Sequence, residues 1–442
     1  MLKQIVLSLA LCSALPAYSQ VSTTYGGVGL TMTDQMQTPP PVSGQAYPSA
    51  VGGQSRSNFV RASFALTTGF SDNVLGYNVY PVNDIFWTMY SNLSIDKSTA
   101  RAHLALSYNP GFTVYKHTSS YNQLTQDVSL NFLYRLSPHV TFIAQDGLLK
   151  SASVLSQPYL VSGEPVTGSP PPLIDVVNPV ADVLGNVASV QLNDQFRRDG
   201  TIGFEGSYGI QSYLNQKEAQ GLYDSRSREG SAFYNYRLSR KHYTGATYRY
   251  SRILVYPNNA LSEINTNSVS LFYTVFIAPT ISISVSGGPQ HFTVSQTLLP
   301  AYNSWQPTFG ASVGWQVRRT NIVASYTRVV NGGGGLVGAF ESSSATVAFR
   351  RQLTRTWSTG LALSYLDNQN VTPAYLISTE EGGHNATGAI TFQHDISEHF
   401  QMAFGYTRWQ QKYTSLQVIS ATPSTDRVFF TISYQVRRPL GE

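Results

Sequence analysis

Ten residues near the end of the chain, RVFFTISYQV (Arg427–Val436), show the pattern on which the fold prediction rests. Apolar side chains occupy every second position from Val428 to Val436, and the positions between them are polar with the exception of Phe429. Such alternation is typical of a β-strand with one apolar and one polar face. The stretch therefore predicts a strand that separates an apolar environment from an aqueous one.

The same alternation recurs along the chain from Ser57 onward. Clear examples are Arg101–Asn109, Asp127–Arg135, Ile281–Ser286, Phe309–Arg318 and Phe400–Thr407. The connections alternate in length, with short turns such as Leu136–His139 and longer loops rich in Gly, Asn and Pro. Bacterial outer-membrane barrels have tight periplasmic turns, longer external loops and an even number of strands. The pattern therefore predicts an all-β fold, a transmembrane antiparallel β-barrel of about 18 strands with both termini on the periplasmic side.

Composition argues against other classes of protein. The 442-residue chain is 42% hydrophobic and 12% aromatic, but only 12% charged, against roughly 25% charged residues in an ordinary soluble domain. Disordered chains are rich in charge and poor in aromatic residues, and helical membrane proteins need apolar runs of about 20 residues. A secreted propeller or β-helix is the competing all-β interpretation, although a propeller repeats four short strands per blade and the unit here is a hairpin.

The N-terminus predicts export from the cytoplasm. Lys3 precedes the apolar run Ile5–Ala14, and Ala17–Ser19 supplies small residues for a cleavage site. These features are typical of a secretory signal peptide, here residues 1–19. The single cysteine, Cys12, lies within this segment, and the bulky leucine before it disfavours the alternative of a lipoprotein anchor.

Residues 20–56 differ from the rest of the chain. They are rich in Gly, Pro, Ser, Thr and Gln and have no apolar period, which predicts a flexible periplasmic arm. An alternative is that the arm enters the lumen as a plug. Residues 57–442 are predicted to form the outer-membrane barrel, in the outer membrane of a Gram-negative-type cell envelope.

Polar side chains of such a barrel point into an aqueous lumen. The pore-lining candidates are Arg61, Arg101, His103, Arg135, Arg237, Arg249, Arg328, Arg350 and Arg408. Arg318 and Arg427 are also assigned to the lumen, against the two carboxylates Asp127 and Glu205. Because arginine rings favour anions, we expect a preference for anionic or neutral polar solutes. The alternative is that several of these arginines lie at the lipid headgroup boundary or pair across strands.

The longest predicted loop spans residues 151–190. It is rich in apolar residues, its acidic residues are Glu164, Asp175 and Asp182, and it has no Lys or Arg. Loops of this length are usually functional or disordered. We expect it to narrow or cap the pore with these three acids, and the alternative is an external lid packed on other loops.

The early hairpins resemble outer-membrane porin-like barrels, in particular the "beta-barrel porin 2" type. The likeness is carried by Arg101–Phe112, Tyr121–Gln123 and Leu130–Ser137. The resemblance implies an outer-membrane channel and, since barrels of this type often accompany exopolysaccharide genes, a role in polysaccharide-related export. Expected partners are outer-membrane lipid and lipopolysaccharide, the barrel assembly machinery and possible polysaccharide export proteins.

The sequence has no motif that predicts catalysis. Neither a G-x-S-x-G elbow nor a helical metal-binding histidine pair is present, and the run Gly332–Gly335 is interpreted as a loop tip rather than a phosphate site. We expect no enzymatic activity, no cofactor or metal, and no nucleic-acid partner. The alternative to a channel is a non-conducting structural or partner-binding barrel in an envelope exopolysaccharide machine.

Overall fold

The computed structural model describes residues 58–439 except 78–79, 152–180, 216–218, 220, 258–260, 279, 298–299, 318, 374–381 and 414–422. Eighteen strands dominate these residues. They are β1 (Phe59–Ser71), β2 (Asp84–Ser98), β3 (Ala102–Tyr115), β4 (Gln123–Arg135), β5 (Val140–Ser151), β6 (Val183–Arg197), β7 (Gly200–Tyr213), β8 (Ser225–Arg237), β9 (His242–Val255), β10 (Ser262–Ala278), β11 (Ile281–Gln296), β12 (Tyr302–Val317), β13 (Thr320–Asn331), β14 (Phe340–Gln352), β15 (Trp357–Asn370), β16 (Gly383–Asp395), β17 (Phe400–Tyr413) and β18 (Ser424–Pro439). A short 3-10 turn covers Ser119–Tyr121.

The sheet closes on itself. Each strand pairs antiparallel with the next along the chain, and β1 pairs with β18 from Phe59 opposite Pro439 to Ser71 opposite Arg427. The prediction of a closed, antiparallel, 18-stranded all-β barrel is therefore confirmed. Within the described part of the chain, no helix is long and apolar enough to cross a membrane.

The two faces of each strand differ as the alternation predicted. In β1, Phe64 and Leu66 are about half exposed on the outside, whereas Thr67 is buried on the inside. The quoted C-terminal stretch behaves in the same way, and its exceptional residue, Phe429, faces the lumen. Its ring lies over Gly405 of β17, where the missing side chain leaves room for it.

The short turns are built by their Ser and Thr residues. In the turn between β4 and β5, the Ser137 hydroxyl accepts hydrogen bonds from the N–H groups of His139 and Val140 at 3.2 and 3.0 Å. Thr354 and Ser397 accept the equivalent bonds in two later turns. Such side chains mimic a backbone turn, which explains the recurring Ser or Thr after an aliphatic residue. All these turns lie at one end of the barrel, the short-turn end, and the longer loops lie at the long-loop end.

One predicted boundary is wrong. The loop assigned to residues 151–190 ends earlier, because β6 begins at Val183. The first part of β6 does not alternate cleanly, since Asn186 lies on the outward face and Val187 on the inward one. Asn186 donates a hydrogen bond to Asp146 of β5 at 2.8 Å, which gives this polar residue a partner on the outward face.

Candidate functional site: the lumen of the barrel

The loop between β13 and β14, Gly332–Ala339, folds into the lumen, and we call it the glycine loop. All its residues are buried or half-buried, and Leu336 has no exposed surface. β13 pairs with β12 only as far as Arg328, whereas its pairing with β14 continues to Asn331. The end of β13 is therefore free to turn inward, and it carries the glycine loop with it.

Gln290, on the lumen face of β11, holds the end of β13 in this position. Its side-chain amide donates to the Val330 carbonyl and accepts from the Val330 N–H, both at 2.9 Å. Extending the register of β12 and β13 would bring Pro307 opposite Val330, and proline has no N–H to donate. The Gln290 side chain thus satisfies backbone groups that β12 leaves unpaired.

The tip of the glycine loop reaches a distant part of the wall. The Tyr213 hydroxyl and the Gln211 amide of β7 donate to the Gly334 carbonyl at 3.3 and 3.4 Å. The Tyr223 N–H donates to the Gly335 carbonyl at 2.9 Å. Because β7 and β13 are six strands apart in a ring of eighteen, these contacts pass through the lumen rather than along the wall.

Two apolar clusters, which we call the mouth clusters, pack around this loop. The first contains Ala181, Tyr213, Ala219, Leu222, Leu336, Phe340 and Tyr413, and the second contains Ile253, Val255, Ile264, Phe292, Val294, Val330 and Ala339. Their members come from strands on several sides of the barrel as well as from the loops. At the positions of these residues, side chains pack against one another inside the long-loop end of the barrel.

Glycine is required for the path of the loop. Gly333, Gly334, Gly335 and Gly338 have φ angles of 61°, 65°, 100° and 110°, a region that other residues adopt only at a cost. A Cβ atom on Gly333 would also collide with the ring of Phe340. The glycine run, interpreted from sequence as a plain loop tip, is therefore what allows the chain to enter the lumen.

Below the mouth clusters, many inward positions are polar, although the rings of Phe233, Tyr243, Phe272 and Phe276 are also buried on this face. Hydroxyl pairs join neighbouring strands, such as Thr67 with Thr431 at 2.8 Å and Thr88 with Thr113 at 3.0 Å. Similar pairs connect β13 with β14 at 2.6 Å. Thr67, Thr431, Thr88 and Thr113 are buried, and their hydroxyl groups bond to one another across the strands.

Several predicted pore-lining residues share the inward face by strand parity. They are Arg61, His103, Arg135, Arg237, Arg249 and Arg350, and Arg427 joins them. The same parity also places the carboxylates of Asp84, Asp96, Asp127, Glu205, Glu229 and Asp395 inward. Only Asp127 and Glu205 were predicted to face inward, so the excess of arginine over carboxylate in the lumen is smaller than expected.

Some of these charges lie close enough to interact. Glu205, Ser231 and Arg249 are in register on three consecutive strands, and the Arg249 charge acts on Glu205. Nearer the short-turn end, His103 Nε2 lies 3.1 Å from the buried Asp96 carboxylate. The lumen wall thus carries local charge pairs together with arginines.

Arg101, Arg328 and Arg408 do not line the lumen as predicted. Arg101 precedes β3 and lies in the exposed turn after β2. Arg328 shares the outward face with Phe309 and pairs with Glu341 at 2.7 Å. Arg408, also outward, pairs with Asp426 at 3.0 Å. The alternative that some arginines pair across strands is correct for the last two, which sit on the outward face because the strand alternation continues past the apolar positions.

Of the three acids predicted to narrow the pore, the structure describes Asp182. Asp182 forms an ion pair with Lys150 at 3.4 Å, and Lys150 has the parity of the outward-facing Leu148, so Asp182 does not face a lumen arginine. Glu164 and Asp175 lie outside the described residues. Arg318 and the predicted signal peptide and arm, residues 1–56, lie outside them as well.

Sequence reasoning missed the residues that hold and form the folded-in loop, namely Gln290, Tyr213 and the glycine loop. The four consecutive glycines were the available signal, but a run of glycines does not show whether the loop folds into the lumen or away from it. Among the described residues, no group of three or more His, Cys, Asp or Glu side chains could hold a metal ion.

Comparisons with known proteins return barrels at low identity. No model of a known protein family matches the chain, and neither does a curated protein. The chain is similar in structure to OccAB4 of Acinetobacter baumannii, with 9% identity, a TM-score of 0.41, and coverage of 87% of this chain and 100% of that one. For the ferric-catecholate import receptor Fiu of E. coli K12 in its closed form, the identity is 9%, the TM-score 0.45 and the coverage 86% and 82%. For the FrpB iron transporter of Neisseria meningitidis, these values are 7%, 0.43, 86% and 83%. At these TM-scores we draw no functional conclusion, and the barrel described above rests on the strand pairing of the chain itself.

Proposed function

We propose that the protein is an outer-membrane channel for small polar solutes, closed at its long-loop mouth by the glycine loop. The observation that carries this proposal is the glycine loop, which lies inside the barrel and packs against the two mouth clusters.

The outward face supports placement in a membrane. Large apolar side chains such as Phe64, Leu66, Phe404 and Ile432 are about half exposed there, as a lipid-facing surface requires. A closed barrel also leaves no strand edge unpaired, which the hydrocarbon interior demands. The outer membrane is the bilayer in which such single-chain barrels occur, and we propose it as the location.

The short-turn mouth supports entry of anionic or neutral solutes. Arg61, Arg135, Arg237 and Arg350 have inward parity close to that end, where an arginine ring would attract anions. Asp96 and Asp395 on the same rim reduce this field, so we propose a weak preference for anions rather than strict selectivity. Polysaccharide-related export rests only on the resemblance of the early hairpins.

A second candidate is a non-conducting barrel that serves as a structural or partner-binding component of an exopolysaccharide machine. The closed mouth favours it, because a lumen that never opens would look the same. The two candidates differ in whether the closure can be released.

Planar-bilayer recording separates them. The key variant replaces Gly332–Ala339 with Asn-Gly, which favours a two-residue hairpin turn between Asn331 and Phe340. If the protein is a gated channel, the wild type conducts rarely and the variant conducts steadily. If both are silent while circular dichroism shows an intact barrel, the channel proposal is wrong and the structural candidate replaces it.

A further inference from the structure

Three arginines form a patch on the outward face near the long-loop end, and we call it the outer arginine patch. It consists of Arg226 and Arg228 on β8 and Arg252 on β9. Arg226 and Arg228 are exposed and alternate with inward-facing serines. All three lie within four residues of the strand ends that lead into long loops.

The strand register brings these like charges together. Arg228 lies directly opposite Arg252 in the pairing of β8 and β9, and Arg226 is the next residue on the same face. Directly opposed residues on an antiparallel pair have Cβ atoms about 5 Å apart, and like charges in such pairs are destabilising. The arrangement therefore calls for an anion between or above the guanidinium groups.

Among the described residues, Glu263 is the carboxylate that forms an ion pair with an arginine of the patch. Glu263 accepts a hydrogen bond from Arg252 through Oε2 at 2.8 Å and one from Asn265 through Oε1 at 2.7 Å. Each of its oxygens therefore accepts one of these hydrogen bonds. Neither Arg226 nor Arg228 forms an ion pair with any other described residue.

Tyrosine rings flank both Arg226 and Arg228. The Arg226 guanidinium lies 5.6 Å from the ring centre of Tyr256, and that of Arg228 lies 6.0 Å from the ring centre of Tyr208. Cation–π contacts of this kind hold the guanidinium groups in place. Tyrosines are also typical of the level where the hydrocarbon meets the headgroups, which is the level at which lipid phosphates lie.

The other outward arginines near this end differ in this respect. Arg328 is paired with Glu341, and Arg408 is paired with Asp426. Their charges are balanced by the protein, so they need no external anion. Arg226 and Arg228 differ from these outward arginines, and from Arg252, because no ion pair joins them to a described carboxylate. Their guanidinium groups match phosphate oxygens geometrically.

We propose that the outer arginine patch binds the phosphate group of an anionic lipid in the membrane leaflet at the long-loop end. A phosphate above Arg226 and Arg228 accepts charge-assisted hydrogen bonds from both and relieves the repulsion between Arg228 and Arg252. The inference rests on the membrane location in the proposed function but not on conduction. It also explains why exposed arginines tolerate the lipid-facing surface.

The test uses the full chain in nanodiscs of zwitterionic lipid, doped with lipid A carrying both phosphates or with enzymatically dephosphorylated lipid A. Native mass spectrometry then counts the lipid A molecules retained. The variant carries R226Q and R228Q together, and R408Q is the matched control because that arginine is already paired. We expect the wild type and R408Q to retain phosphorylated lipid A at least tenfold better than the double variant, and the dephosphorylated lipid poorly.

Equal retention by the wild type and the double variant would overturn the inference, and so would equal retention of the two lipids. A third arm adds inorganic phosphate in large excess over the lipid. If free phosphate displaces the lipid at millimolar concentration, the site is a general phosphate site and the lipid assignment is wrong. Planar-bilayer conductance of the same double variant is measured separately, so loss of lipid binding with intact channel behaviour, or the reverse, distinguishes failure of this inference from failure of the proposed function.

Discussion

Replacing Gln290 with leucine should release the glycine loop. Gln290 is 2% exposed, and its amide makes two hydrogen bonds of 2.9 Å to the Val330 backbone. Leucine has a similar volume but leaves the Val330 N–H and carbonyl unpaired within an apolar cluster. Each buried group without a partner costs about 1–3 kcal/mol, whereas both groups can be hydrated once the loop leaves the lumen.

We take about 3 kcal/mol as the sum of the two losses, which corresponds to an increase of about 150-fold in the ratio of open to closed channels. The assay is single-channel recording of purified protein in a planar bilayer, with open probability as the measured quantity. The matched control is Gln316→Leu, the same substitution at an inward-facing position of β12 near the short-turn end. An open probability that is unchanged in Gln290→Leu, or raised equally in the control, would refute the assignment of Gln290 as the residue that holds the loop.

Further changes test other parts of the account. Gly335→Ala should raise the open-to-closed ratio by about fivefold, since a φ of 100° costs alanine about 1 kcal/mol, and Gly230→Ala, which has open space around it, should not alter it in the same recordings. Arg249→Gln should lower the anion-to-cation permeability ratio and Glu205→Gln should raise it, as judged from reversal potentials in a salt gradient; shifts in the same direction would contradict the pairing of these charges in the lumen. Phe429→Ala should reduce the free energy of unfolding by about 3–5 kcal/mol, because it empties a packed site, whereas Phe430→Ala on the outward face should cost less, and urea titrations in detergent compare the two. Asp182→Asn should leave conductance unchanged, since Asp182 pairs with Lys150 on the outer side. A clear increase in conductance would show that Asp182 narrows the pore.

The barrel could be predicted from sequence because its cause is local. Alternation such as Val428, Phe430 and Ile432 against Thr431 and Ser433 is a property of consecutive residues, and the pairing of neighbours follows from short turns. The Ser and Thr residues of those turns act on N–H groups two and three positions away. These features need no knowledge of distant parts of the chain.

The inward position of the glycine loop could not be predicted because its causes are distant in sequence. The inward path of the glycine loop depends on Gln290, which lies 40 residues before Val330, and on the register that would place Pro307 opposite Val330. The partners of the loop, including Tyr213, lie more than 100 residues away. A run of glycines permits this path, but it does not specify it.

The wrong prediction that Arg408 lines the lumen has a related origin. Arg408 follows Phe404 and Tyr406 at the same parity, so the alternation itself places it outward, and the expectation that charge must face water assigned it inward. Near strand ends, an arginine on the outward face is tolerated when a carboxylate such as Asp426 lies on the next strand. The partner on the next strand is visible only in the register.

The most direct measurement of the central claim locks the glycine loop in place. Leu222 and Leu336 belong to the same buried cluster, so Leu222→Cys with Leu336→Cys should form a disulfide under mild oxidation, as seen by a shift in gel mobility. In the Gln290→Leu background, we expect the oxidised protein to be silent in planar bilayers and the reduced protein to conduct. Failure of the cysteines to cross-link, or equal conductance before and after reduction of a confirmed cross-link, would contradict the claim that the glycine loop closes the channel.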